Sequence, residues 1–217
     1  MSPKAWVTMD LTQKCSALYA FTADALTQIA ATGVDIWMVQ VGNEINGGMA
    51  GEWSTNGRNQ LMNAGSAAVR ATLPDALVAV HFTNVSQSDA KKYIREVCEG
   101  DTPVDFDVMA YSYYSYWHGS LENLSELMAD VRENFGKDVF IAETSYPFTT
   151  NNLDTHPNSV PNEWCDMKQD ISRDGQAADF RETMETIREN YPPAAFYGAM
   201  NFLGTHDTPR ILTLLGA

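Results

Sequence analysis

Two glutamates follow short apolar runs at widely separated points of the chain. Glu44 ends the run VQVGNE, and Glu143 ends the run VFIAE. Hydrolysis of a glycosidic bond with retention of configuration needs two carboxyl groups about 5–5.5 Å apart. Glutamates at the ends of two strands that face each other across a barrel mouth would meet that requirement. A single glutamate at a strand end is as often a helix cap or an ion-pair partner, so the prediction depends on both together.

A third predicted strand ends in the aromatic sequence YSYYSYWHGS. Tyr114, Trp117 and His118 lie at or beyond its end and are predicted to line a sugar site. Aromatic faces stack on the C–H faces of pyranose rings, while the polar edges bond to hydroxyl groups. Tyr111 and Tyr113 alternate along the strand and are predicted to lie in the core.

Two further polar residues are candidates for substrate binding. Asn43 precedes Glu44 and could donate a hydrogen bond to a sugar hydroxyl beside the acid. His81 lies near the end of its strand and could line the pocket. A buried histidine with satisfied hydrogen bonds is the more common alternative for a lone histidine at such a position.

Helix-like and strand-like segments alternate along the chain. Apolar residues at helical spacing predict helices over 16–32, 57–72, 88–100, 120–136 and 175–190. Apolar and β-branched runs predict strands over 35–43, 77–82, 106–115, 138–146 and 196–204. This alternation predicts an α/β fold whose parallel sheet is covered on both faces.

A doubly wound sheet and a (β/α)8 barrel both fit the alternation, and the strand ends favour the barrel. Polar and aromatic residues collect at the carboxyl ends of the strands, where barrel enzymes hold their sites. No GxGxxG sequence follows a strand, which argues against a dinucleotide site. A full barrel has eight strands in roughly 250 residues. Five predicted strands in 217 residues therefore indicate a partial (β/α)8 TIM barrel that lacks the N-terminal strands.

The composition restricts the class of partner. The formal net charge is −14, from 14 basic and 28 acidic residues, and such a surface repels nucleic acid and anionic membranes. We therefore expect a neutral polysaccharide or oligosaccharide as the partner, with no nucleic acid and no membrane, and the oligomeric state is left open. Cys15, Cys98 and Cys165 show no metal-binding spacing. The first residues show no signal peptide.

The motifs resemble a known family. PKAW, VQVGNEINGGM, SYYSYWHGSL, AETSYPFT and DGQAADF appear in the order found in the endo-β-1,4-galactanases of glycoside hydrolase family 53, over about residues 3–190. The resemblance implies a retaining hydrolase that cuts the β-1,4-galactan of type I arabinogalactan. It assigns the acid/base to Glu44 and the nucleophile to Glu143, and it places Asn43, Trp117 and His118 at the sugar site. Members of this family are usually exported, so an extracellular location is implied for the full-length parent.

The polar loop NNLDTHPNS is a candidate metal site. Its alternate residues are Asn152, Asp154, His156 and Asn158, and their oxygen donors suit Ca²⁺ although imidazole is an unusual ligand for it. In bacterial members of the resembled family, a loop of the pattern D-x-D-x-H-x-N holds calcium. Asn152 here stands in place of the first aspartate, which removes one charge. A plain polar loop is the alternative, and no other cofactor is indicated.

The resemblance to family 53 ends near residue 191. Residues 192–217 resemble instead the α-amylase superfamily, family 13 of the neopullulanase type, with His206 and Asp207 matching a strand that ends in His-Asp. We therefore predict a galactanase-like partial barrel over 1–191 and an α-amylase-like strand and loop over 192–217. Two alternatives to galactan cleavage stay open: an inactive fragment or carbohydrate-binding remnant, and an α-glucan hydrolase.

Overall fold

The computed structural model describes residues 3–83, 85–152, 155 and 157–191. Within these residues, five α-helices alternate with four β-strands. In chain order the elements are α1 (Leu11–Ala30), β1 (Met38–Val41), α2 (Thr55–Thr72), β2 (Leu77–Phe82), α3 (Gln87–Cys98), β3 (Val108–Ser112), α4 (Leu121–Phe135), β4 (Asp138–Glu143) and α5 (Arg173–Asn190). The five helices and the first four strands agree with the predicted order, while the predicted strand 196–204 lies outside the described residues.

The helix starts are set by short polar side chains. Asp10 caps α1 and forms a reciprocal capping box with Gln13, so the helix begins five residues earlier than its apolar periodicity predicted. Ser54 and Ser172 cap α2 and α5 in the same way, each accepting a hydrogen bond from a backbone N–H three residues later. Three of the first four residues of α1 are polar, and for that reason the hydrophobic pattern did not reveal this turn.

The strands form one sheet with the order β1-β2-β3-β4. β1 and β2 pair in parallel from Met38 opposite Leu77 to Val41 opposite Val80. β2 and β3 pair in parallel over the register that runs from Ala79 opposite Val108. Sequential parallel strands joined by helices confirm the predicted α/β class.

β1 is less buried than the sequence suggested. Only Val41 is buried, Met38 and Val39 are half-buried, and Gln40 is exposed. β2 and β3, by contrast, are buried along almost their whole length. The reason is strand order, because β1 has a neighbouring strand on one side only within the described residues.

Contacts divide the described residues into two units, which we call the sheet unit and the aromatic unit. The sheet unit contains residues 3–83, 88–111 and 131–140. Its core combines the inward side chains of β2 and β3 with apolar residues of α2 and α3, and α1 packs against α2.

The aromatic unit contains the described residues of 85–87, 112–130 and 141–191. It holds the segments that follow β3 and β4, together with most of α4 and all of α5. Its cluster of buried apolar residues consists of Tyr114, Tyr116, Tyr146 and Val160, against which Cys165 and Met167 pack.

Within the described part of the chain, none of the helices combines the length and the apolar character that crossing a membrane requires.

Candidate active site

Glu44 lies in a tight turn directly after β1, within the sheet unit. Its backbone is left-handed, with φ 44° and ψ 53°, a conformation that costs a non-glycine residue free energy. Gly42, two residues earlier, has φ 88°, and a Cβ placed there would come within 2.8 Å of Ile45 Cγ2. The turn therefore needs glycine at position 42, and it directs a half-buried carboxylate out of the strand end. Strained backbone of this kind is concentrated at functional sites.

His81, near the end of β2, holds the same turn from the neighbouring strand. The ring is fully buried, and its Nδ1 accepts from the Glu44 N–H at 3.4 Å and from Gln40 Nε2 at 3.0 Å. Both neighbours are donors, so the ring proton belongs on Nε2. Gln40 Nε2 also donates to the Gly42 carbonyl at 2.9 Å. His81 thus contacts the backbone of the Glu44 turn, and its predicted contact with substrate stays a prediction.

Glu143 is the last residue of β4 and belongs to the aromatic unit. The Tyr114 hydroxyl donates to Glu143 Oε2 at 2.8 Å, and the Tyr113 N–H donates to the Glu143 carbonyl at 2.8 Å. A phenol that donates to a carboxylate forms a charge-assisted hydrogen bond and restricts the rotamer of the acid. The half-buried carboxyl of Glu143 is therefore held by a neighbouring side chain.

The segment 113–118, which we call the aromatic loop, is itself held by hydrogen bonds. The Tyr114 N–H donates to His118 Nδ1 at 3.1 Å, and the Tyr114 carbonyl accepts from the N–H groups of Trp117 and His118. The Tyr113 hydroxyl donates to the Gly119 carbonyl at 3.0 Å. These bonds fold the loop back on itself, so that Tyr114 has a fixed position.

The aromatic side chains divide between the core and the surface. Tyr111 and Tyr113 are fully buried, which confirms their predicted place in the core. Trp117 is 40% exposed and lies edge-on to Tyr114, with ring centroids 5.6 Å apart. An exposed indole supported by a buried phenol can stack on a sugar ring. Asn43 is likewise exposed, beside Glu44, so both side chains are accessible to a ligand.

The structure also reveals polar residues that the sequence analysis did not assign. Ser115 of the aromatic loop donates a hydrogen bond to Asp179 of α5, and both side chains are buried. Burial raises the pKa of Asp179 to about 6, against the lowering effect of the Ser115 hydrogen bond. The helical spacing of Asp179, Thr183 and Ile187 was the signal that could have identified Asp179 from the sequence. These three residues share the buried face of α5.

The predicted metal loop is described only in part. Asn152 and Asn158 are exposed, and Asn158 Nδ2 donates to the Asn151 carbonyl at 3.0 Å. Asp154 and His156 lie outside the described residues. The Asn158 contact uses the amide nitrogen, whereas Ca²⁺ binds amide oxygen, so this contact is compatible with the predicted ligand set.

Comparison with known proteins gives the family. The model of glycosyl hydrolase family 53 matches residues 1–199, and the chain belongs to that family. The endo-β-1,4-galactanase of Bacillus subtilis strain 168 is 43% identical over 185 residues, which is 85% of this chain and 43% of that protein. A probable arabinogalactan endo-β-1,4-galactanase A of Aspergillus fumigatus is 30% identical over 165 residues, or 70% of this chain and 46% of the relative.

Solved structures agree with the assignment. The family 53 catalytic domain of Ignisphaera aggregans superposes with a TM-score of 0.77 at 29% identity, covering 87% of this chain and 53% of that one. A structure of fungal β-1,4-galactanases has a TM-score of 0.72 at 21% identity, which supports the fold alone. The chain spans about half the length of the relatives and structures it matches.

The reported matches give no support to an α-amylase-like segment. The family 53 match continues to residue 199, eight residues beyond the predicted boundary at 191. Residues 192–217, with His206 and Asp207, lie outside the described residues, so the predicted division into two parts stays a prediction.

Proposed function

We propose that this chain is a retaining glycoside hydrolase that cleaves β-1,4-galactan, with Glu143 as the nucleophile and Glu44 as the acid/base. The observation that carries the proposal is the hydrogen bond from the Tyr114 hydroxyl to Glu143 Oε2, at the end of β4. A carboxylate held in one rotamer by a phenol is oriented for attack on carbon. Membership of family 53 and the similarity to endo-β-1,4-galactanases support the substrate class.

The two glutamates would act in two steps. In the first, a Glu143 carboxylate oxygen bonds to the anomeric carbon while the glycosidic C–O bond breaks. Glu44 gives its proton to the leaving oxygen. In the second, Glu44 takes a proton from water, whose oxygen attacks the anomeric carbon and releases Glu143. Two inversions give net retention, and the mechanism requires the two carboxyl groups to be about 5–5.5 Å apart.

The surrounding residues have roles that follow from their positions. Asn43, exposed beside Glu44, donates to a sugar hydroxyl, and Trp117 stacks on a galactose ring. His118 accepts from the Tyr114 backbone and so connects the aromatic loop to the phenol that contacts Glu143. His81 holds the Glu44 turn. We propose a neutral polysaccharide or oligosaccharide as the substrate of this acidic protein.

The test is hydrolysis of purified β-1,4-galactan, with Glu44→Gln and Glu143→Gln as controls that keep side-chain size. We expect galacto-oligosaccharides from the wild type and none from the double variant. Retention is checked by following the anomeric configuration of the first product by NMR. Initial formation of the α-anomer would contradict the mechanism, and absence of hydrolysis above the double variant would contradict the function.

The outcome also decides between the alternatives. Galactan binding without cleavage would indicate a carbohydrate-binding remnant, an alternative that the chain's span of about half its relatives' length keeps relevant. Cleavage of maltooligosaccharides that is lost in Asp207→Asn would indicate an α-glucan hydrolase and support the α-amylase-like segment.

We propose further that the full-length parent acts outside the cell, since members of the family are usually exported.

We also propose that Asn152, Asp154, His156 and Asn158 hold a structural Ca²⁺. The donor set supports this site, because amide and carboxylate oxygens are typical calcium ligands. The site carries one carboxylate only, so binding would be weak. Calorimetry with CaCl₂ tests it, with Asp154→Ala as the control, and no heat of binding would contradict it.

A further inference from the structure

Asp179 is a buried carboxyl group that the two-glutamate mechanism does not use. It lies on the inward face of α5 and is 3% exposed. Removing a carboxyl group from water is unfavourable unless it forms compensating hydrogen bonds. A buried acid on a helix face that it shares with Thr183 and Ile187 therefore requires an explanation.

The contact that explains it reaches the aromatic loop. Ser115 Oγ donates to Asp179 Oδ1, across 64 positions of sequence. Within the described residues, neither Asp179 Oδ2 nor Thr183 Oγ1, one turn later on α5, has a hydrogen-bond partner. The serine is thus the one described hydrogen-bond partner of the Asp179 carboxyl.

Ser115 lies between Tyr114 and Tyr116. Both tyrosines form hydrogen bonds with the end of β4 or with the residues that directly follow it. Tyr114 donates to Glu143 Oε2 at 2.8 Å, and the Tyr116 hydroxyl lies 2.8 Å from Ser145 Oγ. The Tyr114 phenol can meet Glu143 only when the backbone at Ser115 is correctly placed. A displacement of Ser115 would move the hydroxyl that contacts the proposed nucleophile.

We propose that Asp179 is a positioning residue: through Ser115 it fixes the aromatic loop so that the Tyr114 hydroxyl contacts Glu143. This inference rests on the proposed function, in which Glu143 is the nucleophile. It assigns to α5 a part in the reaction, although α5 supplies no group that touches the substrate. Burial raises the pKa of Asp179 to about 6, which shows that this position costs the carboxylate free energy.

The experiment compares four variants of the full chain on galactan. Asp179→Ala and Ser115→Ala each remove one partner of the contact, and we expect each to lower kcat about 10- to 100-fold with KM unchanged. Asp179→Asn keeps an acceptor oxygen and should restore most of the loss. The double variant Asp179→Ala/Ser115→Ala should be no worse than either single variant, because one contact is lost in every case.

Thr183→Val is the matched control. It changes a buried polar side chain of the same helix face with almost no change of volume, and it leaves the Ser115 contact intact. We expect kcat at the wild-type level. A purely structural role for Asp179 predicts the opposite pattern, with losses in kcat that follow the loss of thermal stability in every variant. Additive losses in the double variant would also overturn the proposal.

A second readout separates this inference from the proposed function. Trp117 lies edge-on to Tyr114 and Tyr116, so its indole N–H resonance in a ¹H–¹⁵N NMR spectrum reports the position of the aromatic loop. Trp117→Phe identifies the resonance. Asp179→Ala and Ser115→Ala should shift it alike, and Thr183→Val should leave it in place. An unchanged resonance in the two alanine variants overturns the positioning role, whereas an inactive wild type with the expected shifts refutes only the galactanase function.

Discussion

The two proposed catalytic glutamates are held in different ways. Glu44 has a left-handed backbone in a turn that requires Gly42, and the buried His81 accepts from its N–H. Glu143 ends a regular strand, and the Tyr114 hydroxyl holds its carboxyl group. Backbone geometry therefore controls the first glutamate, and side-chain contacts control the second.

This difference fits the two proposed roles. An acid/base must contact the leaving oxygen in one step and a water molecule in the next, so its carboxyl group needs some freedom while its backbone stays fixed. A nucleophile must meet one carbon at one angle, so its carboxyl group itself should be held. The comparison predicts that changes around Glu143 alter kcat, whereas changes around Glu44 alter both folding stability and activity.

The largest expected effect separates the two glutamates directly. Glu44→Gln and Glu143→Gln should each lower galactan hydrolysis about 10³-fold or more. In an aryl β-galactoside with an acidic phenol, the leaving phenolate needs no protonation. Such a substrate should therefore restore formation of the glycosyl-enzyme in Glu44→Gln. Burst kinetics measure this step. The same substrate should fail in Glu143→Gln, and rescue of that variant would reverse the assignment.

The next effect concerns the phenol that contacts Glu143. Tyr114→Phe should lower kcat about 10- to 100-fold with little change in KM, because a hydrogen bond to a charged group is worth about 1.5–3 kcal/mol. Tyr19→Phe is the control, since Tyr19 is 40% exposed on α1 and is no part of the aromatic loop. Steady-state kinetics on galactan test the pair, and equal losses in both variants would mean that Tyr114 has no special relation to Glu143.

A glycine pair tests the Glu44 turn. Gly42 and Gly33 have nearly the same φ, 88° and 83°, but a Cβ at position 42 would meet Ile45 whereas one at position 33 would meet nothing within 4 Å. Gly33→Ala should cost about 1–2 kcal/mol of folding stability through backbone strain alone. Gly42→Ala should cost about 1–3 kcal/mol more. Denaturant unfolding measures both, and equal costs would show that Ile45 moves away without penalty.

The smallest effect is a pH dependence that arises from Asp179. Burial raises its pKa to about 6 from the ordinary 3.8, so between these values the folded protein keeps a proton that the unfolded chain has lost. The free energy of unfolding therefore falls as pH rises through that range. Asp179→Asn does not titrate in this range, so the Tm of the variant relative to the wild type should rise between about pH 4 and pH 7. A Tm difference that is constant across this range would contradict the shift.

Much of the fold could be predicted because its signals are local. Apolar spacing located the five helices, and short apolar runs located β1 to β4. The alternation of tyrosines along the predicted third strand, 106–115, correctly placed Tyr111 and Tyr113 in the core. Each of these features depends on residues a few positions apart, which share a helix face or a strand face.

Other features depend on strand order and long-range packing. The sequence of β1 is as apolar as that of a central strand, yet β1 ends the strand order within the described residues and is only partly buried. The left-handed backbone of Glu44 and the acceptance of its N–H by His81 join positions 37 apart. No local pattern encodes such pairs.

The sequence by itself determined the alternating helices and strands, the two glutamates at strand ends and the aromatic residues after β3, because side-chain period and residue type are properties of the chain. The tertiary structure determined which of these side chains form hydrogen bonds and with which partners. It selected Tyr114 as the partner of Glu143 and Ser115 as the partner of Asp179, because hydrogen bonds between distant residues exist only after the strands and helices have packed.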